Sequence, residues 1–423
     1  MDPNLPNTNP QPAPSPVSPD DVPPPVSAPP SADTTPAGNP DAPKPPVPVK
    51  IKVPKINFLE TQSLLADIEK KVGARVVSYY VPPYLSMGGH HAELFLDQLE
   101  AIGEQEHLAL FLVTPGGDPT SALRIAAILR DYCKKLTILV PSMCASAGTI
   151  LALSGDTIVM SAAGYLTAID ISTSHQLNPK GANGRPVAVS ADQVKRILNF
   201  LANEGAVVGE KGEKEGAYRT LFTYLNPLVV GHLDRSSSAS ELIATKIMSM
   251  HPETFGGEEK IRYIAKHLVN DYPMHGFPII YSEAVEVGLP VQKADKELSE
   301  LMYSLVKVYS STTIPAYTHF NPNHYHYDEL SITLEAVGLR TARHNSWNKR
   351  FNPALRSWQT EEDNARWINI KPSNDPKKPF TITTIDVVEK EVERVAVASP
   401  VEVPTAPIKK EAEAPLEQPT DEY

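Results

Sequence analysis

From Arg75 onward, short β-rich runs alternate with helical patterns, and this alternation limits the possible folds more than any other feature of the chain. Residues 75–81 form a β-rich run, and 92–99 carry apolar residues at helical spacing. Residues 108–113 are a continuous apolar stretch, suited to a strand buried on both faces. Asp118-Pro119 then opens a helix, with Asp as N-cap and Pro at the first helical position. Ile125, Ile128, Leu129, Tyr132 and Cys133 mark one face of that helix, and Lys134 and Lys135 fall in its last turn. Residues 136–140 read as a strand, 147–153 as a buried helix and 157–160 as a further strand. Such alternation implies right-handed crossovers. The expected class is therefore α/β, with a mostly parallel sheet and surrounding helices.

A second helical block follows. Ser190 to Gln193 reads as a capping box, with Val194, Ile197, Leu198 and Leu201 as the apolar face behind it. Helical patterns return at 241–250 and 258–268, and the unit closes at Gly288-Leu289-Pro290. The ends of the chain read differently. Of 42 prolines, 18 lie in residues 1–50, where missing N–H groups and few large apolar residues oppose any packed structure. Four regions are expected: a disordered proline-rich head at 1–50, a strand–helix body at 51–299, an ordered appendage holding all three tryptophans at 300–395, and a disordered acidic tail at 396–423.

The net charge of −11 is carried mainly by the two ends, −3 on the head and −4 on the tail. The weakly acidic body does not read as a nucleic-acid binder. Two cysteines, Cys133 and Cys144, exclude a disulfide scaffold and fit a reducing, cytoplasmic setting. Residues 136–155 carry no charge, but Pro141 and the small polar cluster after it favour a buried strand and helix over a membrane span.

Two loops at the carboxyl ends of consecutive predicted strands carry the chemistry. In Thr114-Pro-Gly-Gly-Asp118 a glycine pair leaves main-chain N–H groups open just before a helix, where they can hold an oxyanion. In Cys144-Ala-Ser-Ala-Gly-Thr149 a serine stands among small residues where a strand turns into a helix, leaving its hydroxyl accessible. Open α/β sheets bind ligands at strand carboxyl ends, and these loops would meet there.

Leu112-Val-Thr-Pro-Gly-Gly-Asp118, Val140-Pro-Ser-Met-Cys-Ala-Ser-Ala-Gly-Thr149 and Ala152-Leu-Ser-Gly-Asp-Thr-Ile-Val-Met160 together resemble the serine dehydrogenase proteinase family. That family is a branch of the Clp/crotonase-like serine peptidases, related to signal peptide peptidase A and the caseinolytic protease. The resemblance runs from about Arg75 to Val291 and includes Tyr272-Pro-Met-His-Gly-Phe-Pro-Ile279. It implies Ser146 as nucleophile and Gly116, Gly117 and Ala147 as oxyanion donors. It further implies peptide hydrolysis without metal or cofactor, on unfolded or membrane-protein segments. A homo-oligomer and peripheral membrane association are compatible with it. The family's second signature, Leu-Gly-Pro-Ile-Asp-Pro-Gln, reads Leu166-Thr-Ala-Ile-Asp-Ile-Ser172 here, keeping Asp170 but replacing Gly, both Pro and Gln.

The general base stays open at this level. Asp170 lies in the matched motif, His175 sits in a polar loop, Lys195 follows the serine by 49 residues, and His275 belongs to the later motif. The altered signature leaves a second expectation beside the peptidase: a catalytically inactive Clp-fold scaffold recruiting partners through its termini. His319, His324, His326 and Asp328 read as an aromatic surface turn rather than a zinc cluster.

Overall fold

A computed structural model describes residues 56–385, apart from most of 171–225 and short stretches at 315, 322, 353–356 and 376. The proline-rich head and the acidic tail lie outside the described residues. In chain order the first elements are α1 (Phe58–Val72), β1 (Arg75–Tyr80), α2 (His91–Ile102), β2 (Gln105–Val113), α3 (Pro119–Asp131), β3 (Cys133–Val140), β4 (Met143–Cys144), α4 (Ala147–Ala152), β5 (Thr157–Met160) and β6 (Tyr165–Thr167). The short strands β7 (Ser172–Thr173) and β8 (Val189–Ser190) come next, then α5 (Pro227–Met248), α6 (Pro252–Phe255) and α7 (Glu258–Asn270). After them lie β9 (Pro278–Ile279), α8 (Tyr281–Val287), β10 (Val291–Lys293) and α9 (Lys296–Thr312). The chain then runs through β11 (Ala316–Asn321), β12 (His324–Ala336), β13 (Leu339–Asn352), β14 (Ser357–Asp363), β15 (Arg366–Pro372) and β16 (Phe380–Ile385).

One large sheet runs β10-β5-β3-β2-β1-β12-β13-β15-β16. Its first five strands are parallel, giving the expected α/β class with surrounding helices. From β12 onward the pairing is antiparallel: Tyr80 lies opposite Thr333, and the 316–385 segment continues the sheet from the edge of β1. Strand β2 shows why the apolar run at 108–113 has no polar face. Ala109, Phe111 and Val113 pack beneath α1 and α9 with Leu65, Ile68, Met302 and Leu305. By strand alternation Leu108, Leu110 and Leu112 point to the opposite face and are buried there too.

Helix α3 starts as its sequence predicts, with the Asp118 carboxylate accepting the Thr120 N–H at 2.9 Å and Pro119 at its first turn. It ends earlier than the apolar pattern predicts. Cys133, Lys134 and Lys135 belong to β3 instead, because the parallel ladder pairs Gln105 with Cys133 and His107 with Lys135. Ladder hydrogen bonds there override the weak helical preference of three residues at a helix end. The uncharged stretch at 136–155 forms β3, β4 and α4, and no described helix is long and apolar enough to cross a membrane.

Two buried polar groups tie the parallel and antiparallel halves together. Glu335 and Arg340, on β12 and β13, form an ion pair at 2.9 Å. Glu335 also accepts from Thr61 of α1 at 2.7 Å and from Tyr309 of α9 at 2.8 Å. Burying a carboxylate is costly unless donors surround it, and here they come from three elements at once.

Candidate active site

The carboxyl ends of β1, β2 and β3 lie side by side, and the loops leaving them carry the predicted chemistry. Thr114 bridges to Cys144: its N–H donates to Met143 O at 3.0 Å, and the Ala145 N–H donates back to Thr114 O at 2.9 Å. On its other edge the same segment pairs with the loop after β1. Met87 N–H donates to Gly116 O at 2.8 Å and Asp118 N–H to Met87 O at 3.0 Å. The glycine pair is therefore held between two strands rather than left as an open turn.

Both glycines are required by space. A Cβ on Gly116 would lie 2.7 Å from Ser146 Cβ and from Ala145 O, and one on Gly117 would lie 2.3 Å from Met87 O. Their φ angles, +103° and +145°, disfavour any other residue. The two N–H groups are not equivalent. That of Gly116 donates to the Thr114 hydroxyl at 3.0 Å. That of Gly117 shares a peptide plane with the Gly116 carbonyl. A trans peptide holds C=O and N–H on opposite edges, and the chain has no cis bonds among its described residues. With the carbonyl turned to Met87, the Gly117 N–H is turned to the edge along which residues 143–146 run.

Ser146 itself is held at φ +54°, ψ −117°, immediately before α4. For a residue with a Cβ this region costs about 1–3 kcal/mol. Three hydrogen bonds over-determine the turn. Thr167 Oγ1 accepts the Ser146 N–H at 2.8 Å, Thr149 Oγ1 accepts the Thr167 N–H at 3.0 Å, and the Thr149 hydroxyl donates to Cys144 O at 3.0 Å. The conformation leaves Ser146 partly exposed at the start of a helix. Among the described residues, neither its Oγ nor the N–H of Gly117 or Ala147 has a hydrogen-bond partner.

Asp170 and His275 meet. Their contact, Asp170 Oδ1 to His275 Nδ1 at 2.9 Å, is set by a small second sheet, β4-β6-β9. Its register pairs Cys144 with Leu166 and Thr167 with Pro278, which brings the chain before β9 opposite the chain after β6. The Ser146 N–H bond to Thr167 Oγ1 sets the serine beside the last residue of β6, three residues before Asp170. Asp170 is buried while His275 is partly exposed. The hydrogen bond that His275 donates to Asp170 raises the histidine pKa above its ordinary value, against the opposing effect of burial. With Nδ1 engaged, Nε2 is left to exchange protons.

Lys195 and His175 lie outside the described residues. Cys144 is fully buried, and burial pushes its thiol well above the ordinary range, which fits packing rather than attack. Of the histidines on the 316–385 strands, His326 bonds Asn348 and His344 bonds Asp328. Sequence reasoning missed Met87 and Thr167. Thr167 did carry a signal, since it stands where the resembling signature has glycine, which could not accept the Ser146 N–H.

No protein-family model matches the chain. Two uncharacterized proteins of Methanocaldococcus jannaschii are similar to it. One is 24% identical over 273 residues, 61% of this chain and 83% of the relative. The other is 22% identical over 255 residues, 58% of this chain and 75% of the relative. Among solved structures the chain is similar to a mutant of the 1510-N membrane-bound stomatin-specific protease in complex with a substrate peptide. That likeness has 13% identity and a TM-score of 0.30, over 55% of this chain and 78% of the other. It is also similar to ClpP1 from Listeria monocytogenes, at 15% identity and a TM-score of 0.27, over 54% and 98% of the two chains. At these scores the chemistry rests on the site's own geometry.

Proposed function

We propose that this chain is a Clp/crotonase-like serine peptidase that cleaves peptide bonds through an acyl-enzyme on Ser146. The observation that carries the reading is Ser146 held at positive φ before a helix, with the N–H groups of Gly117 and Ala147 open beside it. In the reaction Ser146 Oγ attacks the scissile carbonyl carbon while a base takes its proton. The carbonyl oxygen becomes an oxyanion and accepts from Gly117 and Ala147, the interaction that gains most as charge develops. Collapse breaks the C–N bond and the leaving amine takes the proton. Water then repeats the sequence to free the acid and restore the serine.

Among the described residues the Asp170–His275 pair is the base best supported, with Asp170 orienting the ring and leaving Nε2 to take the proton. The family resemblance, including membership of the serine dehydrogenase proteinases, extends this reading to unfolded or membrane-protein segments as substrates and to a homo-oligomer. A fluorophosphonate probe tests it. The full chain should be labelled and Ser146→Ala should not. Equal labelling of both, or of neither, gives the site to the alternative of an inactive scaffold.

A further inference from the structure

The loop between β1 and α2 carries Met87, the residue that turns the Gly116 carbonyl and hence the Gly117 N–H. Part of what holds this loop comes from the far end of the sequence. Because β12 runs antiparallel to β1, with Tyr80 opposite Thr333, its residues before Thr333 continue past the carboxyl edge of β1. Glu329 lies on that overhang, paired across the ladder with Asn345 of β13.

The Glu329 carboxylate is buried, and its two oxygens serve different elements. Asn345 Nδ2 donates to Oε1 at 2.7 Å, and the Tyr84 hydroxyl, from the loop, donates to Oε2 at 3.0 Å. A second clasp closes the loop's other end. His91 Nδ1 accepts the Gly88 N–H at 3.0 Å and lies 2.6 Å from the Tyr79 hydroxyl. The rings of His90 and His91 meet Trp367 of β15 edge-on, at 5.6 and 5.8 Å between centroids. Met87 sits between the two clasps, with its N–H and C=O both bonded to the glycine strand.

We infer that the antiparallel β12–β13–β15 ribbon is a working part of the site, and that Tyr84 and Glu329 are positioning residues which hold the 82–91 loop so that Gly117 presents its N–H to Ser146. This rests on the peptidase reading and gives the carboxyl-terminal strands a task within it. Tyr84 is more than half exposed, so removing its hydroxyl takes away the clasp with little loss of packing. A buried carboxylate held by neutral donors is costly to maintain, and here one of its two oxygens is given to a loop.

The test uses the full chain and a fluorophosphonate, comparing second-order labelling rates of wild type, Tyr84→Phe, Glu329→Ala and Glu329→Gln. Tyr84→Phe and Glu329→Ala should label about tenfold more slowly, the scale expected when a donor is displaced rather than deleted. Glu329→Gln keeps an acceptor and should stay within about threefold of wild type. Amide exchange at Met87 and Asp118 should quicken in the two slow variants at temperatures where both remain folded. A purely structural role would lower the thermal midpoint and leave labelling of folded protein unchanged. Should Glu329→Ala fail to fold, Tyr84→Phe decides alone. Wild-type rates in Tyr84→Phe, with wild type itself labelled, overturn this inference and leave Ser146 standing. Absence of wild-type labelling overturns both.

Discussion

Ser146 and Gly117 are 29 residues apart and meet through consecutive strands of one parallel sheet, each in a backbone shape that its own loop imposes. Asp170 and His275 are 105 residues apart and meet only because β9 is laid antiparallel on β6. The half proposed to carry the nucleophile is thus built from main-chain geometry, with Cβ-sized clearances and hydrogen bonds on both edges. The half proposed to carry the base is built from two side chains that flank a sheet of three short strands. The first half has little tolerance for change, whereas the second can be altered one atom at a time. That difference predicts how each should fail.

The sharpest way to break the nucleophile half is Gly116→Ala. The new Cβ would meet two neighbours at 2.7 Å, one of them a backbone carbonyl that cannot rotate away. The glycine strand must withdraw from Ser146, and the Gly117 N–H goes with it. Fluorophosphonate labelling should fall by about 100-fold or more, the loss seen when an oxyanion donor is removed. Stability should drop by roughly 1–3 kcal/mol from the unfavourable φ alone. Labelling at the wild-type rate would mean that this strand does not border the reacting centre.

The base half should fail more gradually. His275→Ala is expected to slow labelling about 100-fold, the lower range for a positioned general base. Asp170→Asn should cost about tenfold and also move the pH profile. The base must be neutral, so the rate falls as pH drops through the His275 pKa, which Asp170 holds above the ordinary 6.5. Replacing the carboxylate lets that pKa fall, and the acid limb moves to lower pH. The same coupling bears on stability. The contribution is full below the unfolded-state pKa and is lost as pH rises through the raised folded value. An acid limb that stays put in Asp170→Asn would hand the base to a group outside the pair, for which the sequence offers Lys195.

The two halves also differed in what the sequence could reveal. Gly116, Gly117 and Ser146 announce themselves because backbone constraints select residue types locally: glycine where φ is positive, small residues where a strand turns into a helix. The α/β class was legible for the same reason, since the apolar run at 108–113 and the Asp118-Pro119 start each reflect one element's own environment. Asp170 and His275 could be nominated but not paired, because their meeting depends on the register of β6 against β9. Tyr84 and Glu329 were invisible, being 245 residues apart and joined by the pairing of β1 with β12. Cys133 misled because a helix face and a strand start look alike over three residues.

The smallest expected effect is the most diagnostic of the nucleophile's backbone. If Ser146 holds positive φ at the expense of stability, the cost belongs to its Cβ and not to its hydroxyl. Ser146→Ala removes the hydroxyl but keeps the Cβ, whereas Ser146→Gly removes both and is at ease at φ +54°. Neither variant should be labelled, and Ser146→Gly should be the more stable of the two by about 1 kcal/mol, partly offset by the glycine's greater freedom when unfolded. Chemical denaturation of the two inactive proteins measures this difference without reference to substrate. A glycine variant less stable than the alanine one would show that the turn is relaxed. The case for a strained serine held ready by Thr149 and Thr167 would then fail, even if Ser146 is the residue the probe attacks.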